Sequence, residues 1–108
     1  MPSATSSGVL ALYGDLDPIR EAYLRAQLAT LDGKDAAVVD LSSVGYLDSM
    51  ALTAFVRLNK DFAARDAHVV WLVPPQTNAR RIFAVAELDR YFAIAETLEG
   101  ALQALTVS

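Results

Sequence analysis

The sequence predicts an α/β single domain, a mostly parallel or mixed sheet of about four strands with about four helices packed on it. Three observations carry this reading. Strand-like and helix-like segments alternate along the chain in the order β-α-β-α-β-α-β-α, which implies right-handed crossovers. One of the strand candidates, 36–41, is almost continuously apolar, as in parallel strands covered on both faces. At 108 residues and 54% hydrophobic, the chain has material for one core and no need of a staple.

Each element has its own signal. Residues 9–13, Val-Leu-Ala-Leu-Tyr, form a short apolar run closed by Gly14 and read as the first strand. Pro18 suits a first helical turn and Asp17 a cap, and Ile19, Tyr23, Leu24, Leu28 and Leu31 then recur at helical spacing. Asp32-Gly33-Lys34 ends that helix in a turn. Ala36 to Leu41 is the second strand, followed by a polar turn. Asp48 and Ser49 offer capping side chains ahead of a helix reaching about Ala64. Arg65-Asp66-Ala67 turns into the third strand, His68 to Val73, which Pro74-Pro75 halts. A helix over Thr77 to Ala86 follows, then a short strand near Ala93-Ile94. A last helix runs from about Leu98 to Leu105 with Thr97 as cap. Residues 1–7 read as a flexible N-terminus and 8–108 as the one domain.

Composition excludes several classes of function. The absence of cysteine rules out disulfides, iron–sulfur clusters and thiolate zinc sites, and no cofactor is expected. The apolar runs fall far short of the about 20 residues a membrane helix requires. The N-terminal segment has neither a basic region nor an apolar stretch, so no signal peptide is read there and a soluble, cytoplasmic protein is expected. With 13 acidic and 9 basic residues and a net charge of −4, the chain lacks the clustered cations that phosphate backbones demand, and nucleic acid is not an expected partner.

Catalytic arrangements find little support. His68 is the lone histidine and cannot build the usual multi-histidine metal site. Ser49, His68 and Asp48 formally supply a nucleophile, a base and an acid, but the G-x-S-x-G elbow is missing and Asp48 adjoins Ser49 instead of sitting behind a base. Gly33-Lys34 lacks the leading glycine of a phosphate loop, and G-x-G-x-x-G is absent. Asp15 and Asp17 read as loop and cap residues. The chain is expected not to be an enzyme.

The distinctive stretch is 40–52, Asp-Leu-Ser-Ser-Val-Gly-Tyr-Leu-Asp-Ser-Met-Ala-Leu. A buried strand ends in Asp40, a polar turn follows, and an apolar pair leads into Asp-Ser at a helix start. Backbone N–H groups are unpaired at such a start and the helix dipole is positive there. Open parallel sheets expose their sites at the carboxyl ends of the strands, where Ser49 would lie. A phosphate on it would add about −1.5 to −2 charge, which the helix end tolerates while a docked partner is repelled. On the residues alone, simple capping by Asp48 and Ser49 is the favoured reading and the phosphorylation switch its alternative.

This stretch resembles the STAS domain family, the domains of sulfate transporters and anti-sigma-factor antagonists, whose pattern runs D-L-S-x-V-x-[FY]-[IVML]-D-S-[ST]-G-L. Further segments resemble the family in order: 14–17 (GDLD), 68–75 (HVVWLVPP), 86–89 (AELD) and 97–102 (TLEGAL). The resemblance covers nearly the whole chain from about Val9. Met50 and Ala51 depart from the pattern, which has Ser or Thr and then Gly. The lead before the first strand is also short and polar where family members often carry an additional strand.

The resemblance implies a stand-alone anti-sigma-factor antagonist: a non-enzymatic binding module that engages an anti-sigma kinase, is phosphorylated on Ser49 and is restored by a phosphatase, so acting in transcription regulation. It implies that Asp17 and Asp48 lie beside the phosphosite and touch the partner. A monomer or a heterocomplex is expected. The alternative is a constitutive STAS-type subunit of a lipid-transport ATPase complex, motivated by Met50-Ala51. The helix after Ser49 extends the partner surface. If Leu52, Phe55, Val56, Asn59 and Phe62 face the sheet, then Met50, Ala54 and Leu58, with Thr53 and Arg57, point outward as an exposed apolar stripe of the kind that marks a docking site, unless another element covers it.

Overall fold

A computed structural model describes residues 7–107. Its elements are β1 (Ser7–Leu16), a 3₁₀ turn (Pro18–Arg20), α1 (Glu21–Ala29), β2 (Ala36–Leu47), α2 (Ser49–Ala64), β3 (His68–Leu72), α3 (Asn78–Val85), a second 3₁₀ turn (Leu88–Arg90), β4 (Ala93–Ala95) and α4 (Leu98–Val107). The four strands form one sheet in the order β1-β2-β3-β4, every neighbouring pair parallel. Each crossover therefore steps the same way, and right-handed connections put α1, α2 and α3 on one face. Only α4, which follows the last strand, lies on the other.

Side-chain alternation along β2 and β3 sorts the core accordingly. Ala37, Val39, Leu41, Val69, Trp71 and Val73 belong to the large cluster under the first three helices. Val38, Val70 and Leu72 point the opposite way and pack with Ala101 of α4. This double coverage is why both strands read as unbroken apolar runs. Trp71 centres the large cluster, stacked on Phe92 at 4.8 Å and tilted against Phe55 at 4.8 Å. Its indole N–H donates to Asn59 Oδ1 at 3.0 Å, so the buried ring keeps its polar edge satisfied. No helix among the described residues is long and apolar enough to cross a membrane.

The structure corrects the sequence reading at three places. β2 does not stop at Leu41 but runs to Leu47, and the polar segment taken for a turn is extended. Beyond the pairing of Asp40 with Leu72, β2 has lost β3 as a neighbour and pairs with β1 alone, so its exposed residues Ser42, Ser43, Gly45 and Tyr46 are polar or small for lack of cover. Register shifts between Ala11 and Tyr13 and between Gly14 and Asp15 disturb the two-residue period, which leaves Leu41, Val44 and Leu47 as the buried side chains. Second, Gly14 does not close β1. It lies inside the strand at φ +84, a conformation that favours glycine. Third, α1 begins only at Glu21. The turn before it has three residues per turn, and Ile19, expected on the apolar face, is 91% exposed. Of the segment read as a flexible N-terminus, residues 1–6 lie outside the described residues, and Ser7 opens β1.

Candidate functional site

The carboxyl ends of β1 and β2 lie side by side, Leu16 opposite Leu47, and the Asp48 N–H donates to the Leu16 carbonyl at 3.2 Å. This bond brings the two turns that leave the sheet together. Asp17 caps the first, its Oδ1 accepting from the Ile19 N–H at 3.1 Å. Asp48 caps the second. Its backbone is extended and its Oδ1 accepts from the N–H groups of Met50 at 2.8 Å and Ala51 at 3.3 Å. Those are two of the donors a helix start leaves unpaired. Ala51 is fully buried directly beneath, consistent with the small residue found there.

Ser49 is the first residue of α2 and is exposed. Its carbonyl accepts from the Thr53 hydroxyl at 2.9 Å. Its own hydroxyl has no hydrogen-bond partner among the described residues. Capping is thus done by Asp48 alone, and Ser49, the next residue in the chain, is left over at the surface. The one cation of the first turn, Arg20, is directed backwards onto β1, where Nη1 donates to the Tyr13 carbonyl at 2.6 Å.

The nucleophile–base–acid arrangement is not assembled. His68 pairs in register with Ala36 at the amino end of β2, and Ser49 follows its carboxyl end. At 3.3 Å per residue, the intervening strand separates them by roughly 35 Å. Asp48 is occupied by two backbone donors. Among the described residues no three His, Asp or Glu side chains gather as a metal site would require.

The surface of α2 follows the alternative in which another element covers the apolar row. Ser49, Thr53, Arg57 and Lys60 form the exposed crest. Met50, Ala54 and Leu58 do not stand free as an outward stripe. They are half-buried and turned toward α1, because α1 packs along that flank and its Leu24 and Leu28 supply the facing wall. What remains between the helices is an open groove of about 680 Å³, with Thr53 and Arg57 at its lip. Leu52 and Val56, expected to face the sheet, are half-buried against the core and also line a smaller groove on the other flank, about 340 Å³, closed by Ala86 and Leu88. The crest carrying Ser49 therefore runs between two depressions, the larger lined by charged as well as apolar side chains.

Sequence reasoning missed other residues at this end of the molecule. Ile19 stands two residues after Asp17 and is almost wholly exposed, and Tyr46 on the β1–β2 extension is 46% exposed. Asn78, the first residue of α3, donates from Nδ2 to the Gly45 carbonyl at 3.2 Å and anchors that extension. The signal for these residues was present only in retrospect: β2 had to be read as continuing past Leu41 for Gly45 and Tyr46 to count as strand.

Comparison with known proteins gives a consistent picture. A family model described as "Mlab, STAS domain" matches residues 2–105. The fold matches a crystal structure of an anti-sigma factor antagonist from Mycobacterium paratuberculosis with a TM-score of 0.75 and 27% identity, covering 91% of this chain and 84% of that one. It matches the anti-sigma factor antagonist SpoIIAA in its unphosphorylated form with a TM-score of 0.73 and 20% identity, covering 97% and 93%. The phosphorylated form of the Bacillus cell fate determinant SpoIIAA matches with a TM-score of 0.66 and 19% identity, covering 95% and 94%.

Proposed function

The chain belongs to the STAS domain family, and from that premise we propose that it is a non-enzymatic, cytoplasmic protein-binding regulator of the anti-sigma-factor antagonist type, switched by phosphorylation of Ser49. The observation that carries this reading is the division of labour at the start of α2. Asp48 caps the helix, and the Ser49 hydroxyl is exposed and unengaged beside it. A partner kinase has unobstructed access to that hydroxyl. The likeness to an antagonist at 27% identity supports the role, and the likeness to both forms of SpoIIAA supports a fold that accommodates it.

The mechanism follows from charge. The unphosphorylated domain docks an anti-sigma kinase across Asp17, Asp48 and Ser49 and along α2, with Met50, Thr53, Ala54, Arg57 and Leu58 presenting the lip and wall of the α1–α2 groove. Phosphorylation places about −1.5 to −2 charge next to two carboxylates. The positive helix end holds the phosphate locally, so the fold persists. A phosphate is bulkier than the hydroxyl and has to be desolvated to stay in the interface, so a kinase surface closed over the neutral hydroxyl no longer fits and the complex dissociates. A phosphatase restores the binding state.

The test is a titration of the cognate kinase domain with wild-type protein and with Ser49→Asp. Loss of binding with an unchanged circular dichroism spectrum is the expected result. Equal affinities for the two proteins overturn the reading.

A second reading has its own support. Met50 stands where the family pattern carries Ser or Thr, and the matching family model is described by the name Mlab. Under this reading the chain is a constitutive STAS-type subunit of a lipid-transport ATPase complex. Stable co-purification with an ATPase, insensitive to Ser49→Ala and Ser49→Asp, separates it from the first.

A further inference from the structure

We infer that Ile19 is an apolar anchor of the partner contact and that Arg20 is the positioning residue that holds it in place. The occupant is the anti-sigma kinase of the regulatory reading, on which this inference rests and which it extends. The kinase receives Ile19 in an apolar pocket with a basic rim.

The turn from Pro18 to Arg20 buries none of its residues, yet it is fastened at every position. Pro18 has its φ fixed by its own ring. The Ile19 N–H donates to Asp17 Oδ1 at 3.1 Å. The Arg20 N–H donates to the Asp17 carbonyl at 2.9 Å, and the next N–H, that of Glu21, to the Pro18 carbonyl. The Arg20 side chain adds the long-range tie. Its Nη1 donates to the Tyr13 carbonyl at 2.6 Å and to the Asp15 carbonyl at 3.4 Å. Its guanidinium lies over the Tyr23 ring at 4.0 Å, and the Tyr13 ring leans on the same tyrosine at 5.9 Å. Gly14 makes room for this, since a Cβ there would collide with Arg20 Nη1. One side chain thus joins β1, the turn and α1.

The core gains little from such restraint, because the turn contributes no buried side chain to it. What the restraint holds still is an isoleucine. Ile19 is 91% exposed, the highest value for any large apolar side chain among the described residues. Covering an aliphatic side chain removes its surface from water, which favours association. A turn already fixed in shape also has little conformational freedom left to lose when a partner binds. An anchor that fills a partner's pocket needs both properties, an apolar side chain and a rigid base.

Charge identifies the rim of that pocket. Leu16 and Leu47 lie opposite each other in register, and Asp17 and Asp48 are the residues that follow them. Asp15, exposed one residue before Leu16, adds a third carboxylate to this end of the sheet. Arg20 extended into solvent would offset them. It is turned back instead onto two main-chain carbonyls and a ring, which leaves carboxylates as the charges the turn presents with Ile19. Basic side chains around the receiving pocket attract and orient this end, and acidic ones repel it.

Titration of the cognate kinase domain with variants of the full chain tests this. Ile19→Ala is expected to weaken binding by about tenfold or more while keeping its circular dichroism and urea midpoint. Val85→Ala removes another exposed aliphatic side chain, 80% exposed at the end of α3, and is expected to stay within about twofold of wild type. Arg20→Met keeps a long side chain and loses the guanidinium. It is expected to lower the backbone order parameter at Ile19 from about 0.85 toward 0.6, read by nitrogen-15 relaxation, and to weaken binding by about fivefold. Because Arg20 acts through Ile19, the double variant is expected to bind within about twofold of Ile19→Ala. A kinase that binds the wild type, rejects Ser49→Asp and ignores Ile19→Ala overturns this inference and leaves the regulatory reading standing. A kinase that does not bind the wild type removes both. Equal losses in Ile19→Ala and Val85→Ala, an Ile19 order parameter unchanged by Arg20→Met, losses that multiply in the double variant, or an affinity indifferent to salt also overturn it.

Discussion

Two helix starts on the same face of the sheet make an instructive pair. α2 begins after Asp48 and α3 after Thr77, both caps with extended backbones and both accepting from helix N–H groups, Asp48 from Met50 and Ala51 and Thr77 from Arg80 at 3.2 Å. Each is followed by a polar residue at the first helical position. At α3 that residue, Asn78, turns inward and donates to the Gly45 carbonyl. At α2 it is Ser49, whose hydroxyl engages nothing among the described residues. The capping chemistry is equivalent, so capping cannot be what distinguishes the two. The difference lies one residue later, in a polar side chain that is structurally employed at one start and idle at the other. An idle, exposed hydroxyl at a positive helix end is the feature to expect where a charge is to be added from outside.

The comparison is sharpened first by adding a charge to each start. Ser49→Asp is expected to weaken binding of the cognate kinase on the order of 100-fold or more, because a charge buried without a partner in a contact fitted to a neutral hydroxyl costs several kcal/mol. Asn78→Asp at the other start is expected to leave that affinity within about threefold, as a rim charge away from a contact does little. Isothermal titration with the same kinase domain reads both. If the two variants lose affinity equally, the distinction between the starts has no functional content.

Removing the caps has the next largest effect, now on stability. Asp48→Ala strips two helix donors of their acceptor and is expected to cost about 1–2 kcal/mol, and Thr77→Ala about 1 kcal/mol. Urea denaturation followed by circular dichroism measures both. Midpoints unchanged from wild type in either variant show that water satisfies those donors as well as the side chain does.

Much of this was legible in the residues. Continuous apolar runs gave β2 and β3 because both strands are covered on both faces, and Asp48 announced the start of α2 because a cap is a local device that needs no tertiary context. The rest depended on what packs where. β2 beyond Leu41 has only one neighbour, so its outward residues are polar and mimic a turn. Ile19 sits in register with the apolar face of α1 on a helical wheel, but the 3₁₀ turn before that helix rotates it into solvent. The row of Met50, Ala54 and Leu58 could stand outward or be covered by a second element, and its spacing alone does not decide between the two. With α1 alongside, the true outward line is Ser49, Thr53, Arg57 and Lys60. Periodicity reveals that a helix has an apolar side; it does not reveal that two neighbours share it.

The smallest expected effect is the most discriminating about Ser49 itself. If the hydroxyl has no structural task, Ser49→Ala removes a group that bonds to nothing and exposes nothing new. Alanine also has the higher helix propensity. The change in unfolding free energy is therefore expected to stay within about 0.5 kcal/mol, as for ordinary surface substitutions. Asn78→Ala, made in parallel, removes the hydrogen bond that ties α3 to the β1–β2 extension and is expected to cost about 0.5–1.5 kcal/mol. Were Ser49→Ala instead to destabilise as much as Asp48→Ala, the serine would be part of the cap after all. Its exposure would then be incidental to holding the helix, and the case for an outward-facing switch would lose its footing.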